Sequence, residues 1–448
     1  MTLHLARSRV TKALTDAQIV SSFAAAEERL AAISPGIALG GDQLTTAAGQ
    51  AAALTALATA IKCFEHATLI CSEPDTPLTC PLPLGSTVGT AAAAMGATIS
   101  ATVDPSITHL VRIGWDGGWD GWQVWTWWDK WLSGVRTGPG DGPAHSGLAL
   151  AGIFSAALAV RQIFANVLRA EKPRSVSISL WEPQKGDQFE DNGPDTFTIP
   201  THLWFVGLGH LGQAFVWALS WLPFTADRYA ILQDDQTIAV ENEATSILVL
   251  PKDIGVRKTR VAGAWLEHAG WQTELIERRH AGDIRNMPHD PAVLLAGLDD
   301  VKPRRILAAC GFDFMIDAGI GSGAQDFEGI QLRVIAAGTD IEAYWSDPPP
   351  HGRREKLQTQ NAYKNLASKI GECGTVPIAD ASVAVPFVGA ATAALGIAQL
   401  ARLGEMQPAC AIMQMELGSP AMVIDGGHCP APQSFLGGET FFLKDKFA

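Results

Sequence analysis

The chain has 448 residues, 47% hydrophobic and 18% charged, so it can bury a sizeable core and is not intrinsically disordered as a whole. Its 33 Lys and Arg against 46 Asp and Glu give a net charge of −13, which argues against nucleic-acid and anionic-membrane partners. Seven cysteines without a Cys-x-x-Cys pair argue against a disulfide framework and against zinc. No signal-peptide pattern opens the sequence and the most apolar stretch, 147–160, is too short to span a bilayer, so we expect a cytoplasmic globular protein.

The first half of the chain has an α/β pattern without a good phosphate-binding loop. Ala-rich and apolar segments predict helices, and short runs with β-branched residues predict strands. The predicted helices are 24–32, 44–60 and 148–170, and the predicted strands are 67–72, 99–103, 110–114 and 175–181. Half of the 14 tryptophans lie in 115–131. We expect them to pack a turn and a short amphipathic helix onto the core, and a ligand or partner surface is the alternative.

A segment rich in Pro, Gly and charge, 182–200, separates the two halves. We place a domain boundary near residue 190, which gives domains 1–190 and 191–448. The second half alternates strands with helices, which favours a parallel sheet with helices on both faces. Its predicted strands are 202–207, 229–232, 273–278 and 314–318, and its predicted helices are 213–220, 259–269, 303–309 and 384–403.

The most informative motif is the glycine loop Gly207-Leu-Gly209-His-Leu-Gly212, which follows a predicted strand and opens a helix. Glycines allow a tight turn and close approach of the backbone to phosphate, and the helix N-terminus supplies N–H donors. Asp234 follows the next strand, where a carboxylate can hold ribose hydroxyls. The loop therefore predicts nucleotide binding, and by itself leaves NAD, FAD, SAM and ATP all open.

The sequence that follows discriminates among these nucleotides. The run DDQTIAVENEATSILVLPKDIGVRK, 234–258, resembles the ubiquitin-activating enzyme superfamily, which includes the ThiF-type bacterial enzymes. That family typically shows an Asp, then an Asn, then Pro-Lys-Asp-Ile-Gly-x-x-Lys at this spacing. The resemblance resumes at GLDDVKPR, 297–304, and at IDAG, 316–319, so several motifs occur in the family's order. It extends from residue 202 to about 403, a little under half of the chain.

The resemblance implies ATP-dependent adenylation of the C-terminal carboxylate of a ubiquitin-like protein. It implies that Asp234 binds the ribose, that Asn242 and Lys258 lie at the phosphates with the glycine loop, and that Asp299 holds catalytic Mg²⁺. Arg304 matches a family arginine that is structural or anchors Asp299. Pyrophosphate leaves in such a reaction, so cations near the phosphates suit its chemistry.

The sequence departs from the family at three positions near ATP. The family's second Asp falls on Gln236, and two arginines that contact phosphates fall on Thr245 and Leu250. These losses put catalytic competence in question. Compensation can come from Arg257, from Arg260 or from the other half of the molecule.

The first half of the chain looks like the inactive, pseudo-symmetric adenylation domain of the eukaryotic enzymes, so the chain would form a pseudo-dimer within itself. In the family, an arginine near the N-terminus of the partner adenylation domain can reach across to the active one. Arg7 and Arg9 are the candidates for that arginine here.

Activating enzymes of the conjugating type carry a catalytic cysteine in a loop that crosses over the site. Cys373, in Gly371-Glu-Cys-Gly-Thr-Val-Pro377, resembles the family's Cys-Thr…Pro loop, and we expect this crossover loop at about 345–385. Part of it, 348–369, is predicted as a loop or surface helix. Thioester chemistry needs an accessible thiolate, so we expect Cys373 to be the nucleophile.

The expected fold is α/β, with a Rossmann-like adenylation domain paired with a second, pseudo-symmetric inactive α/β domain. The expected enzyme uses ATP and Mg²⁺, needs no zinc, and passes a ubiquitin-like protein to a conjugating enzyme in a bacterial conjugation system. Antiphage defence follows only from the resemblance to bacterial operons. Two alternatives remain: a catalytically impaired, partner-binding relative and an NAD-dependent Rossmann oxidoreductase.

Overall fold

The computed structural model of the protein describes residues 6–140, 142–144, 147–321, 323–345 and 360–443. The helices of the first half are α1 (Ser8–Thr15), α2 (Phe23–Ala31), α3 (Ala47–Phe64), α4 (Val88–Ala94) and α5 (Ala149–Arg169). Its strands are β1 (Pro35–Leu39), β2 (Thr68–Ile70), β3 (Pro77–Leu82), β4 (Gly85–Thr87), β5 (Thr98–Ser100), β6 (His109–Ile113), β7 (Trp122–Asp129), β8 (Leu132–Arg136) and β9 (Val176–Ser179).

The second half contains five helices and twelve strands among the described residues. The helices are α6 (His210–Ser220), α7 (Lys258–His268), α8 (Val301–Ala308), α9 (Asn361–Asp380) and α10 (Pro386–Gly404). The strands are β10 (Thr196–Ile199), β11 (His202–Val206), β12 (Tyr229–Gln233), β13 (Gln272–Ile276), β14 (Val293–Ala296), β15 (Phe314–Ile320), β16 (Gly329–Ala336), β17 (Ala409–Cys410), β18 (Ile412–Glu416), β19 (Val423–Asp425), β20 (His428–Cys429) and β21 (Glu439–Phe442).

The two halves contain large sheets with the same strand order. The first sheet runs β5-β2-β1-β6-β7-β8-β9, and the second runs β13-β12-β11-β14-β15-β16-β18-β19. In each sheet the first five strands are parallel and those that follow are antiparallel. The earliest strand of each large sheet, β1 or β11, lies inside the sheet and not at its edge, which is the arrangement of a doubly wound nucleotide-binding sheet. The α/β, parallel-rich fold is therefore confirmed.

The halves share one hydrophobic core. Helix α5 packs against α3 and α10, and α10 packs in turn on α6. One continuous cluster of buried side chains includes residues from both sheets and from all four of these helices. A hydrogen bond of 2.9 Å from Trp217 Nε1 to Thr55 Oγ1 crosses the interface between the halves. Apolar burial on this scale holds the two halves together as one unit.

Three helices, α3, α5 and α10, are long and apolar enough to cross a membrane by length and composition. Most of the apolar stretch that was expected to be too short, residues 149–160, thus lies within a 21-residue helix, α5. The most hydrophobic window of each helix is at least 83% buried inside the protein. Their apolar character has a sufficient explanation in the shared core, where a helix needs hydrophobic residues on all sides.

Helix α1 lies in the first half of the sequence but packs on the second. The Nζ of Lys12 donates a hydrogen bond of 2.5 Å to the hydroxyl of Tyr363 in α9 and pairs with Asp16 at 2.9 Å. The ring of Tyr363 also meets Phe23 edge to face. These contacts tie the N-terminal helices to α9.

Three expectations from sequence are corrected. The tryptophan-rich run forms a loop and strand β7 rather than a short helix, because alternate residues of β7 face the core. Within 182–200, residues 196–199 form strand β10, in which Phe197 and Ile199 are buried. Residues 361–380, expected within a crossover loop, are helical with a break at Gly371, whose φ of +79° suits glycine.

The buried ion pair between the halves gives a testable consequence. Arg161 in α5 contacts Glu328, which precedes β16, at 2.8 Å, and the two side chains are 5% and 3% exposed. Glu328→Gln leaves a buried cation whose remaining partner is the half-buried Glu171. We expect the free energy of unfolding to fall by about 3 kcal/mol in urea titrations.

The matched control is Glu277→Gln, which removes an exposed ion pair with Arg260 and should not change unfolding measurably. Equal stability of Glu328→Gln and the wild type would contradict this account of the interface.

Candidate nucleotide site between the two halves

A cavity of about 950 Å³ lies at the carboxyl ends of the parallel strands of the second sheet. Ligands bind at this edge in open α/β sheets. Its lining includes six residues of the second half that were predicted from sequence and one predicted arginine from the N-terminus. The six are Gly207, Gly209, Asp234, Asn242, Lys258 and Asp299, and the arginine is Arg9. Residues separated by up to 290 positions in the sequence therefore meet at one place.

The glycine loop connects β11 to α6. Gly207 has φ of +83°, and a Cβ there would lie 2.9 Å from the carbonyl oxygen of Gly297. A Cβ at Gly212 would lie 2.0 Å from the carbonyl oxygen of Gly207, so Gly212 closes the turn and does not line the cavity. Gly209 faces the cavity, and a Cβ there would lie 3.8 Å from Nζ of Lys258. Gly207 and Gly212 are thus required by the close approach of backbone to backbone, and Gly209 leaves the cavity side of the loop open.

Asp234 links the glycine loop to the next strand. Its carboxylate accepts hydrogen bonds from the backbone N–H of Leu208 at 2.7 Å and from that of Gln236 at 2.8 Å. These bonds fix the carboxylate at the cavity wall beside the loop. An acidic side chain at this place is suited to hold ribose hydroxyls.

Lys258 is the first residue of α7 and is 7% exposed. Its Nζ donates a hydrogen bond of 2.5 Å to Oε1 of Gln236, the residue at the position of the family's second Asp. An amide accepts this bond without neutralising the ammonium group. The positive charge of Lys258 therefore remains available for an anion in the cavity.

Asn242 also lines the cavity, but the two positions of the missing family arginines do not. Oδ1 of Asn242 accepts a hydrogen bond from the N–H of Ala239 at 2.9 Å. Thr245 is fully buried, and its hydroxyl donates to the carbonyl of Glu241 at 3.1 Å. Leu250 packs against the core.

Asp299 is exposed at the cavity, on a turn that Arg304 holds. The guanidinium of Arg304 donates to the carbonyl oxygen of Leu298, at 3.0 Å from Nε, and contacts the buried Asp317 at 3.4 Å. Burial raises the pKa of Asp317, and the charges of Arg304 and Arg333 oppose that rise. This geometry agrees with Arg304 as an anchor for the turn that carries Asp299.

Asp299, with Asp300 next to it in the sequence, lines the cavity at the position that the resemblance assigns to a divalent cation. The residues that the structure describes include no group of three or more His, Cys, Asp and Glu side chains able to hold a metal by themselves. Mg²⁺ commonly binds through one or two carboxylates together with substrate phosphates. The donor set therefore fits Mg²⁺ that arrives with a nucleotide.

Of the two candidate N-terminal arginines, the structure brings Arg9 to the cavity and not Arg7. Nε of Arg9 donates a hydrogen bond of 2.9 Å to the carbonyl oxygen of Ser382, after α9. Burial lowers the pKa of Arg9, and the carboxylates of Asp299 and Glu241 oppose this effect. Arg7 instead pairs with Glu65 at 2.9 Å.

Some cavity residues were missed by the sequence reasoning. Arg278, Arg279 and His280 follow β13 and line the cavity. Of the two arginines proposed to compensate for the missing ones, Arg257 lines the cavity and Arg260 does not. Arg260 is exposed and pairs with Glu277. The position of Arg278, Arg279 and His280 directly after a predicted parallel strand could have indicated that they lie at the cavity, because the carboxyl ends of such strands meet at one edge of the sheet.

His210, the first residue of α6, is a neutral imidazole. Burial and the nearby charge of Arg9 lower its pKa to about 3. Its Nε2 would lie 2.3 Å from a Cβ on Gly389 of α10, so this glycine makes room for the ring. A charged His210 is therefore not part of the site near neutral pH.

The matching position of the first half is filled by side chains. Gln43 follows β1, is 3% exposed, and donates from Nε2 to the carbonyl of Pro143 at 2.9 Å. Its Cγ would lie 2.6 Å from a Cβ on Gly114, and Trp115 lies against Gly40. Gln43 and Trp115 thus pack into the turn that follows β1, the position in the sheet that the glycine loop takes after β11.

Six cysteines are described by the structure, and all six are buried: Cys63, Cys71, Cys80, Cys310, Cys410 and Cys429. Burial raises the pKa of each thiol, to about 11 for Cys80 and Cys429 and to about 12 for Cys410. These six are poorly suited to act as nucleophiles, because attack requires an accessible thiolate.

The side chain of Cys373 lies outside the described residues, although the backbone of α9 passes through this position. Seven residues separate it from Asp380, which lines the cavity. At 1.5 Å per residue along a helix, this spacing corresponds to roughly 10 Å.

Comparison with known proteins gives two family models and one curated relative that are similar to this chain. A family model described as the BilD C-terminal domain matches residues 199–406, and one described as the BilD N-terminal domain matches residues 36–180. The bacterial E1-like protein BilD of Collimonas sp. (strain OK412) is 30% identical over 285 residues. The match spans 61% of this chain and 61% of that relative.

Solved structures with partial similarity include those of E. coli MccB. One covers 58% of this chain and 68% of its own, with a TM-score of 0.37 and 13% identity. Another, with AMPCPP and selenomethionine MccA, covers 58% and 69%, with a TM-score of 0.36 and 14% identity.

The backbone of the glycine loop can be tested without a ligand. Gly207→Ala places a side chain at positive φ and against the carbonyl of Gly297, so we expect the free energy of unfolding to fall by at least about 1–2 kcal/mol. Gly138→Ala is the control, because a Cβ there meets nothing within 4 Å. Indistinguishable denaturant midpoints for the two variants would contradict the steric role of Gly207.

Proposed function

Because the chain belongs to the bacterial branch of the E1-like superfamily, we propose that it adenylates the C-terminal carboxylate of a ubiquitin-like protein with ATP. One observation carries the proposal. Seven residues that the resemblance assigns to ATP, magnesium or the reaching arginine line a single cavity, although they lie on separate elements of both halves.

ATP would lie with its phosphates at the glycine loop. The N-terminus of α6 and the charge of Lys258 provide N–H donors and a cation there, and Asp234 lies beside the loop for the ribose. Asn242 would contribute at the phosphates. Magnesium bound by Asp299 would neutralise phosphate charge, which is its usual contribution in phosphoryl-group chemistry.

In the reaction, one carboxylate oxygen of the ubiquitin-like protein attacks the α-phosphorus and the bond to the bridging oxygen breaks. The products are an acyl adenylate and pyrophosphate. Negative charge grows on the leaving pyrophosphate, and Lys258 and Arg9 are the cations suited to stabilise it. Arg9 would serve in place of the family arginines that are absent at Thr245 and Leu250.

The first half would act as the inactive partner of an internal pseudo-dimer. Its sheet has the strand order of the second sheet, but Gln43 and Trp115 fill the place of the phosphate loop. Helix α1 carries Arg9 across to the cavity of the second half. One chain would thus supply both members of the pair.

A second step would transfer the acyl group to Cys373. Its thiolate attacks the carbonyl carbon of the adenylate, AMP leaves, and a thioester forms. The six buried cysteines do not suit this step, and the end of α9 reaches the cavity. A conjugating enzyme would then receive the acyl group by thioester exchange, in a cytoplasmic conjugation system.

The buried Thr245 and the core-packed Leu250 are the observation in favour of a catalytically impaired relative. Such a protein would bind the ubiquitin-like partner without forming an adenylate. Pyrophosphate exchange distinguishes the two functions.

Asp299→Asn tests the adenylation site. We expect ATP–pyrophosphate exchange, dependent on a ubiquitin-like protein encoded nearby, to fall at least about 100-fold, because the variant lacks the carboxylate charge that would hold magnesium. Asp313→Asn, at an exposed position away from the cavity, should exchange like the wild type. Retained exchange in Asp299→Asn, or no exchange in the wild type with a bound partner, would refute the assignment.

Cys373→Ala tests the thioester step separately. Mass spectrometry of the wild type with ATP, Mg²⁺ and the ubiquitin-like protein should show an adduct that reductant removes, and the variant should lose it while it keeps pyrophosphate exchange. Cys71→Ala, which alters a buried thiol, should keep the adduct. An adduct that persists in Cys373→Ala would assign the nucleophile elsewhere.

A further inference from the structure

A lysine of the first half reaches into the backbone of the second half behind the cavity. Lys62, in the last turn of α3, donates from Nζ to the carbonyl oxygen of Glu243 at 2.6 Å and to that of Val249 at 2.7 Å. Lys62 does not line the cavity. Its contacts are with main chain, so it acts on the conformation of a segment and not on a ligand.

That segment, 239–249, carries Glu241 and Asn242 into the cavity. It is built from successive tight turns, in which the carbonyl of Asn242 accepts from the N–H of Thr245 at 3.3 Å and of Ser246 at 2.9 Å. Turns of this kind leave carbonyl groups without a partner in the segment itself. Lys62 supplies a donor to two of them, to Glu243 in the middle of the segment and to Val249 at its end.

The ubiquitin-activating enzyme superfamily, which this sequence resembles, carries phosphate-contacting arginines at two positions, one within this segment and one directly after it. Here Thr245 is buried and Leu250 packs against the core, so these two positions supply no cation. Lys62 places a cation behind the segment from the other half of the molecule. Two charge-assisted hydrogen bonds from one ammonium group are strong enough to select one conformation of a short segment.

We propose that Lys62 is a positioning residue, which holds segment 239–249 so that Asn242 can engage bound nucleotide. This inference rests on the proposed function, because it takes the ligand of the cavity to be ATP. With this role, Lys62 is a second residue of the first half on which the site depends, in addition to Arg9.

The surroundings of Lys62 make its effect depend on pH. Burial lowers its pKa to about 8, and the carboxylates of Glu243 and Asp253 and the thiol of Cys63 oppose that shift. Arg7, paired with Glu65, lies near the same thiol. Below about pH 8 the ammonium group donates to both carbonyls, and above it the neutral amine loses the charge that strengthens these bonds. Support of the segment should therefore weaken as pH rises through about 8.

The test measures binding of ATP with Mg²⁺ by calorimetry at several pH values. At pH 7 we expect Lys62→Met to bind ATP about tenfold more weakly than the wild type, and Lys62→Arg, which keeps a cation, to bind within a few-fold of it. Between pH 7 and 9 the wild-type affinity should fall more than that of Lys62→Arg, whose charge does not titrate. Lys172→Met, at an exposed position, should match the wild type throughout.

Thermal unfolding of each variant separates loss of positioning from loss of folding. A folded Lys62→Met with wild-type affinity for ATP, or equal pH dependence in the wild type and Lys62→Arg, would overturn the role of Lys62. A wild type that binds ATP but shows no pyrophosphate exchange would refute adenylation and leave the Lys62 comparison decisive. A wild type that binds no ATP would refute both.

Discussion

Burial of long apolar helices between the two sheets is the constraint on which the rest of the structure depends. Helices α3, α5, α6 and α10 share one core, so neither half can bury its helices without the other. This packing fixes the end of α3 and, through α1 and its contacts with α9, places side chains of the first half behind and inside the cavity of the second. The candidate site is therefore a property of the whole molecule, although its nucleotide motifs lie in one half.

The two sheets share a strand order, but the described residues line a cavity beside β11, whereas side chains fill the turn after β1. In the second half, glycines bring backbone close to backbone and leave the cavity side of the turn open. In the first half, Gln43 and Trp115 fill the corresponding space, and the loop after β6 replaces the helix that follows β14. Trp115, the first residue of the tryptophan-rich run, is thus part of the packing around the turn after β1.

Much of the fold follows from local patterns in the sequence. Periodic apolar segments predict α3, α5, α6, α7 and α10, and the strands on either side of the glycine loop, to within a few residues. The family resemblance makes Arg7 and Arg9 candidates for an arginine at the cavity, but only the structure shows that Arg9 is the one that lines it. Arg278, Arg279, His280 and Lys62 escape prediction because their importance depends on strand order and on packing between halves, which no local pattern encodes. Helix α9 was missed because glycine and proline within 371–377 resemble a loop.

The claim that both halves build one adenylation site is tested most directly by two neighbouring arginines. Arg9 lines the cavity and Arg7, on the same short stretch, pairs with Glu65 outside it. The measurement is ATP–pyrophosphate exchange of Arg9→Met and Arg7→Met in the presence of the ubiquitin-like protein. We expect Arg9→Met to lose at least about 100-fold in rate and Arg7→Met to stay near the wild type. Equal rates in the two variants would contradict a site completed by the first half.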